Sequence, residues 1–358
     1  MLIIVPRRKH SSSKAFTQIM TIREIASLAN TSRGTVDRVL NGRGNVSPDV
    51  RKRIEKVLSD TGYVFQMHTK QKGVRTTFEV AAIVANRNNS FFDLVLQGRK
   101  NALLGEYRYS GIVLKVYPVS LFNDQEVRDA LNSLSKKTKL LIISAAGNEK
   151  IVEKIDSFKI PVISESIDIH AKYKIGYVGC DFYNSGALAA DRVNLLIKPG
   201  EKVQVLIGSY SHQGHRQRLE GFKQALSPSF ESLAPIETYD DDKIGYEKTK
   251  DCIRNKKPDI LVYFGAGRVG GLKAVEEEKV HRPKVITVDE IPEILLGLKN
   301  GLVSASISQH PYQQGKKCIE IAYRHLLLNE KKCKDIHVAN SVRLKDTIVP
   351  YGTKEDKQ

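Results

Sequence analysis

From Thr21 onward the apolar residues recur at helical spacing. Ile22, Ile25, Ala26 and Ala29 fall on one face at a 3.6-residue period, and Thr21 with Glu24 three positions later has the form of a capping box. Asn30-Thr31-Ser32 interrupts the run and leaves Ser32 placed to cap a second helix, which carries Val36, Val39 and Leu40. A loop over Asn41-Gly42-Arg43-Gly44-Asn45 follows. Ser47 and Pro48 then supply an N-cap and a first-turn proline for a third helix through Ile54, Val57 and Leu58, closed by Gly62. Three short helices with a tight turn between the first two predict a helix-turn-helix.

Residues 66–77 are polar, basic and aperiodic, which predicts a linker. Beyond them short apolar runs alternate with amphipathic stretches. The runs are Val80–Ala85, Ile112–Val116, Leu140–Ile143, Val162–Ile163, Val203–Ile207, Ile260–Tyr263 and Val285–Val288; the stretches between include Phe92–Leu104 and Gly186–Leu196. Strand–helix alternation of this length predicts parallel sheets with helices on both faces, arranged as two lobes with a ligand cleft between them. The expected organisation is a disordered leader over 1–19, a small all-α helix-turn-helix domain over 20–65 and the linker. A two-lobed α/β domain follows over 78–350, with a tail over 351–358. Lobe 1 is expected over about 78–180 and 310–338, and lobe 2 over about 183–307 and 340–350.

Charge sharpens the division. The 358-residue chain holds 57 Lys and Arg against 40 Asp and Glu, a formal net charge of +17. Residues 1–76 hold 15 against 5, a net of +10, while the much longer remainder holds 42 against 35, a net of +7. Such an excess at one end suits a segment that neutralises phosphates, so double-stranded DNA is the expected partner. Four scattered cysteines, Cys180, Cys252, Cys318 and Cys333, form no CxxC pair; they argue against a disulfide framework and fit a reducing cytoplasm. No apolar run approaches the roughly 20 residues of a membrane span. The chain has no GxSxG elbow, HExxH or Walker loop, and His212 and His215 lack further ligands for a metal. Neither an enzyme, a metal site nor a resident cofactor is expected.

The stretch Thr21 to Tyr63, TIREIASLANTSRGTVDRVLNGRGNVSPDVRKRIEKVLSDTGY, resembles without a gap the DNA-binding domain of the lac repressor and galactose repressor family. The resemblance implies a transcription regulator, expected to be a repressor, whose second helix enters the major groove. It makes Arg33 and Gly34 the base-reading pair and Arg38 the arginine further along that helix. Thr21, Ser32, Thr35 and Asn41 are implied to bind phosphate or cap helices. The family's hinge departs here: Phe65 stands at its proline position and Lys72 at its leucine position, so minor-groove insertion is in doubt while a phosphate contact from Lys72 is retained as an expectation. Two heads on a pseudo-palindromic operator imply a homodimer.

Residues 79–350 resemble the type I periplasmic sugar-binding fold that this family fuses to its head. The motifs are Asn89-Ser90-Phe91-Phe92, Tyr177-Val178-Gly179-Cys180-Asp181 with Ser185-Gly186, Arg218-Leu219-Glu220-Gly221-Phe222, Ile286-Thr287-Val288-Asp289, and Ser308-Gln309-His310-Pro311-Tyr312 with Gly315. They imply a sugar, polyol or sugar phosphate effector held by Asn89, Phe91, Phe92, Ser166, Asp168, Asp181, Arg218, Phe264, Asp289 and Gln309. One of Phe91 and Phe92 is expected in the core rather than the cleft. Asp181 and Asp289 also suit capping or interlobe roles, and Gln309 suits bonding its crossover strand. Gly265-x-Gly267-x-x-Gly270, with Asp289 beyond it, also spells a dinucleotide fingerprint and leaves an NAD-sensing regulator as an alternative. Its position late in the α/β domain favours glycines that permit tight packing. A regulator controlled by a partner protein is the other alternative.

Overall fold

A computed structural model describes residues 22–40, 46–61, 65–67, 76–85, 90–120, 123–144 and 148–348. The chain divides into two compact units, Met1–Phe65 and Gln66–Gln358. The first consists of α1 (Ile22–Leu28), α2 (Arg33–Leu40) and α3 (Pro48–Thr61). Its core is Ile25, Ala26, Ala29, Val36, Val39 and Ile54, with Ile22, Val57 and Leu58 packed against it. Asn30 ends α1 in the left-handed region at φ 48°, which asparagine tolerates better than most residues, and the Thr31 amide donates back to the Ala26 carbonyl at 2.9 Å. Ser32 Oγ accepts the Thr35 amide at 3.1 Å and so starts α2.

β1 (Phe65–Met67) starts at the boundary residue, and the second unit continues with β2 (Phe78–Val84), α4 (Ser90–Leu104), β3 (Ile112–Pro118), α5 (Asp124–Asn132), β4 (Thr138–Ser144), α6 (Glu149–Ser157), β5 (Val162–Glu165) and β6 (Lys174–Cys180). It continues through α7 (Phe182–Leu196), β7 (Lys202–Ile207), α8 (Gln213–Ala225), β8 (Glu231–Ser232), β9 (Ile236–Glu237), α9 (Asp242–Lys256), β10 (Ile260–Tyr263), α10 (Arg268–Glu277), β11 (Lys284–Val288), α11 (Pro292–Lys299) and β12 (Ala305–Ser308). It closes with α12 (Pro311–Leu328), β13 (Ile336–Val338) and β14 (Ser341–Arg343). One sheet has the order β1-β3-β2-β4-β5-β6-β13, the other β14-β12-β11-β10-β7-β8 with β9 also beside β7. Only β14 among the paired strands of the second sheet runs antiparallel. The chain passes between the sheets three times, after β6, after β12 and after β13.

Both faces of the second sheet are buried, as a parallel sheet requires. Val203, Val205 and Ile207 pack with α7 and α8 on one face, while Leu206, Leu261, Tyr263 and Val285 pack on the other. Among the strands of four or more residues, two carry no apolar run in the sequence. In β6 the glycines Gly176 and Gly179 dilute the pattern. In β12 the alternate residues Ser306 and Ser308 are fully buried yet polar, with Ser306 Oγ accepting from Thr287 Oγ1 at 2.9 Å.

Three helix pairs meet at backbone distance, and each pair uses two glycines reciprocally. A Cβ on Gly98 of α4 would lie 2.0 Å from the Tyr312 carbonyl oxygen, and one on Gly315 of α12 would lie 2.0 Å from that of Val95. Gly186 of α7 faces the Arg218 carbonyl at 1.9 Å while Gly221 of α8 faces that of Tyr183 at 2.0 Å. Gly245 of α9 and Gly270 of α10 face the carbonyls of Gly267 and Asp242 at 1.9 and 1.7 Å. No methyl group fits at such distances, because the obstruction is backbone rather than a side chain that can swing away. Gly221→Ala should therefore cost about 1–3 kcal/mol by overpacking. Urea denaturation of the full chain measures it, and a loss below 0.5 kcal/mol on the order of surface substitutions would show that α7 and α8 slide apart freely.

Candidate functional site

The first unit presents one polar helix face. Val36 and Val39 turn into the core, so Arg33, Gly34 and Arg38 lie exposed on the opposite side of α2. Ser32 and Thr35 hydrogen-bond each other through their hydroxyls at 2.8 Å at the start of this helix. Gly34 has no internal reason to be glycine: a Cβ there would meet only Ser32 Oγ, at an ordinary 3.8 Å. Glycine weakens a helix relative to alanine, so neither packing nor helix stability accounts for it. Thr21, Asn41 and Lys72 lie outside the described residues.

In the second unit, parallel strands deliver their following loops and helix starts to one cleft between the lobes, the crevice at strand C-termini where α/β sheets bind ligands. The cleft encloses about 500 Å³, partly open to solvent, and every residue lining it follows a strand. Phe91 and Phe92 follow β2 and Ser166 follows β5, on the first lobe. Phe182 follows the crossover from β6. His212, His215 and Arg218 follow β7, Asp240 follows β9, Gly265, Ala266 and Arg268 follow β10, and Asp289 follows β11. Gln309 lies on the crossover after β12.

A hydrogen-bond chain runs through this cleft. Ser166 Oγ donates to Gln314 Oε1 at 2.8 Å, Gln314 Nε2 donates to the Gln309 carbonyl at 2.8 Å, and Gln309 Nε2 donates to Asp289 Oδ1. Asp289 Oδ2 pairs with Arg268 Nη2 at 2.9 Å. Cys180 donates its thiol hydrogen to Gln309 Oε1 at 3.0 Å, and burial pushes that thiol up to about 12, so it remains protonated. Asp240 Oδ1 accepts the Ala266 amide at 2.6 Å, and burial raises its carboxyl above the ordinary range. The rings of His212 and His215 stack with centroids 4.3 Å apart, and His215 Nδ1 accepts the Ser209 amide at 3.0 Å. Behind the cleft, Arg99 of α4 and Glu165 of β5 form a fully buried ion pair joined by Ser144.

The structure brings Phe91, Phe92, Ser166, Arg218, Asp289 and Gln309 to the cleft and separates three expected residues from it. Phe91 and Phe92 both line it, in edge contact at 5.1 Å, and both are buried; a core ring is found as expected, but the expectation that only one of the two reaches the cleft is corrected. Phe264 is fully buried and packs edge-on against Phe222 at 5.4 Å, so it belongs to the sheet core and only its carbonyl, accepting from Arg218 Nη1 at 3.3 Å, touches the site. Asp168 turns outward to pair with Lys174 at 2.8 Å and accept from Ser164 at 2.6 Å. Asp181 is exposed and caps α7 by accepting the Asn184 amide at 2.9 Å. Asn89 lies outside the described residues.

Phe182, His212, His215, Asp240 and Arg268 line the cleft without having been expected there. Arg268 sits inside the glycine-rich stretch, whose motif reading drew attention to the glycines alone. Those glycines pack: a Cβ on Gly265 would lie 2.5 Å from the Gly208 amide nitrogen, and Gly270 meets α9 rather than the sheet. The Ala266 amide, which a dinucleotide's pyrophosphate would use at this turn, is held by the Asp240 carboxyl. Among the described residues no group of three or more His, Cys, Asp or Glu side chains could hold a metal ion, and no helix is long and apolar enough to cross a membrane.

The profile described as "Periplasmic binding protein domain" matches residues 80–331, and that of "Bacterial regulatory proteins, lacI family" matches residues 21–65. The chain is 26% identical over 278 residues to the HTH-type transcriptional regulator CelR of Thermobifida fusca, covering 71% of this chain and 76% of that protein. It is 24% identical over 249 residues to the ribose import binding protein RbsB of Escherichia coli, covering 68% and 83%. Its fold is similar to the crystal structure of GanP, a glucose-galactose binding protein from Geobacillus stearothermophilus, with a TM-score of 0.66, 20% identity, and coverage of 76% of this chain and 99% of that one.

The stacked histidines give the cleft a pH signature. Burial, the neighbouring ring and Arg218 hold His212 down to about 3, and burial and Arg218 hold His215 down to about 3, against an ordinary 6.5. Between about pH 6.5 and 3 the unfolded chain thus binds protons that the folded chain does not, so their contribution is complete above 6.5 and is lost as pH falls. Asp240, with its raised pKa, contributes in the opposite sense, losing stabilisation as pH rises through its folded value. The difference between native protein and the His212→Gln/His215→Gln variant isolates the histidines. Melting temperatures from pH 7 to 4 should fall less steeply in the variant; parallel curves would show that the rings protonate freely in the fold.

Proposed function

The chain belongs to the periplasmic-binding-protein domain family, joined to a DNA-binding head of the lacI family of bacterial regulatory proteins, and from that premise we propose that it is a repressor whose operator affinity is set by a small sugar-like effector held between the lobes. The observation that carries the reading is the presence in one chain of an exposed recognition helix face and a cleft lined by both aromatic and hydrogen-bonding side chains. Arg33 and Arg38 suit guanine edges, whose two acceptors match a guanidinium fork. Gly34 lets the helix backbone approach the groove closely. Ser32 and Thr35 suit phosphate contacts that position the helix without specifying sequence.

In the sensor, Phe91, Phe92 and Phe182 offer flat apolar surface for the ring face of a sugar, and Arg218, Arg268, Asp240, Asp289 and Gln309 suit its hydroxyls. Relatives named for ribose import and for glucose and galactose binding support a sugar-like effector. One head reads only a few base pairs, so the operator-binding form is a homodimer on two half-sites. A protein that acts on operator DNA works in the cytoplasm. Nothing in this reading calls for catalysis.

Binding-site selection on randomised DNA tests the head. Arg33→Ala or Arg38→Ala should each cost about 1–3 kcal/mol of discrimination at the base pair that residue reads. Gly34→Ala should change the selected sequence while leaving the melting temperature unchanged or slightly higher. Unchanged preference in all three variants would remove α2 from the interface. Thermal-shift screening of the full chain against sugars, polyols and their phosphates tests the sensor. Asp289 sits at φ 74°, a conformation asparagine also adopts, so Asp289→Asn keeps the backbone; it should lower the melting temperature by leaving Arg268 without its counter-charge and lose most ligand-dependent stabilisation. A full response in that variant would make Asp289 structural.

A further inference from the structure

The edge of the first lobe's sheet that lies away from the cleft is strongly basic. Strands β3, β2, β4, β5, β6 and β13 run parallel, so their first residues line one edge while the cleft forms at the other. The segments that lead into these strands are 105–111, 133–137, 158–161, 166–173 and 329–335. They carry eight Lys and Arg against four Asp and Glu. All eight cations are exposed, and none forms an ion pair among the described residues. The four acids are engaged elsewhere. Glu106 pairs with Lys316, Asp168 with Lys174 and Glu330 with Arg324, while Asp335 accepts the Tyr177 amide at 2.8 Å.

Two clusters stand out along this edge. Lys136 and Lys137 precede β4, and Lys139, exposed at its second position, joins them. Lys331, Lys332 and Lys334 precede β13, three strand spacings away, or about 14 Å. Like charges set this close repel one another. The second lobe shows no such excess: its corresponding segments, 197–201, 226–230, 233–235, 257–259, 278–283 and 300–304, carry four Lys and Arg against three Asp and Glu. Charge that served only solubility would be mixed in sign and would not favour one lobe.

Connectivity decides which anion this edge meets. Residues 66–77 join the head to β2, and Phe78 opens that strand on the basic edge beside Ile112. Twelve residues span at most about 40 Å, so a duplex held by the head stays within reach of the lysines. DNA presents one negative charge per about 1.7 Å of its axis, and a lysine meets phosphate as a flexible point charge that needs no fixed geometry. On the regulator reading above, on which this rests, we propose that the basic edge of the first lobe is a second DNA-binding surface. It holds the phosphate backbone of the duplex that the head reads, and it adds affinity without sequence preference.

The test is fluorescence-anisotropy titration of the full chain over about 50 to 200 mM salt. The probes are the duplex enriched by binding-site selection and a random duplex of equal length. Lys136→Gln/Lys137→Gln/Lys139→Gln should lower the slope of log affinity against log salt by about 2 to 3, at about 0.9 for each lost phosphate contact. Binding of both duplexes at about 50 mM salt should weaken about tenfold or more. The sequence selected should stay the native one, and the melting temperature should hold, since all three lysines are exposed. Lys331→Gln/Lys332→Gln/Lys334→Gln should act in the same direction and serves if the first variant does not fold. Lys198→Gln/Lys257→Gln/Lys279→Gln removes the same charge from the second lobe and should move the slope by less than about 1. Slopes within about 0.5 of native in both first-lobe variants, or an equal loss in the second-lobe variant, would overturn the proposal and leave the head as the DNA contact. A native chain that binds neither duplex would overturn the regulator reading with it.

Discussion

Three pairs of helices in the sensor unit touch backbone to backbone, and the placement of the cleft's side chains depends on that closeness. Helix α7 carries Phe182 and α8 carries His215 and Arg218, with His212 at its N-cap, and these two are locked by Gly186 and Gly221. Helix α4 carries Phe91 and Phe92, and α12 carries Gln314, which are locked by Gly98 and Gly315. Helix α10 carries Arg268 and is locked to α9 through Gly245 and Gly270. A site whose groups must be held within about half an ångström needs supporting elements that cannot slide. Reciprocal glycines provide this because each blocks displacement of the other's backbone, and a well-packed interior transmits any shift rather than absorbing it.

On that frame the cleft is organised by charge and hydrogen bonds rather than by apolar area. The chain from Ser166 through Gln314, Gln309 and Asp289 to Arg268 begins on one lobe, passes the crossover at Gln309 and ends on the other. Ser166 donates into the network, and each later member both donates and accepts or pairs with an opposite charge, so few polar atoms are left over. Arg218 stands apart from it. The buried pair Arg99–Glu165 is part of the same economy: it fixes β5 against α4 immediately before Ser166, at a position where removing one partner would strand the other.

Much of this was legible in the sequence, and the exceptions have physical causes. The apolar periodicities located the head's helices and seven of the strands, because both elements bury a face with a fixed period. They were silent on β6 and β12, where glycines and buried serines replace the apolar signal, and on the five strands of two or three residues, which are too short to show a period. Site residues read from strand-end motifs fared unevenly. Arg218, Asp289 and Gln309 reach the cleft, whereas Asp181 is used up in capping α7 and Phe264 turns one residue too early, into the core. A period-2 argument along β10 would have warned of this, since Ile260, Val262 and Phe264 share a face. Arg268 and Asp240 were missed because their partners, Asp289 and the Ala266 amide, come from other segments, and no local pattern encodes such a meeting. The paired glycines were visible as motif members, but their reciprocity appears only when the helices are set side by side.

A ligand in this cleft acts as a regulator only if it binds two arrangements of the protein with different affinity; equal affinity, however tight, shifts nothing. The distribution of the lining residues meets that condition. Phe91, Phe92 and Ser166 belong to one lobe, Arg218, Asp240, Arg268 and Asp289 to the other, and the lobes are joined by three narrow crossovers. A molecule that stacks on the first set while bonding to the second gains its full contact energy at only one spacing of the lobes. Moving an equilibrium from 1:99 to 99:1 takes about 5.5 kcal/mol of differential binding. A few charge-assisted hydrogen bonds, at about 1.5–3 kcal/mol each, are enough to supply it, and they are worth most where the charge they meet is already buried and uncompensated. Arg218, buried on the second lobe and lining the cleft, is placed to make such a bond and so to give an occupant leverage over the lobes.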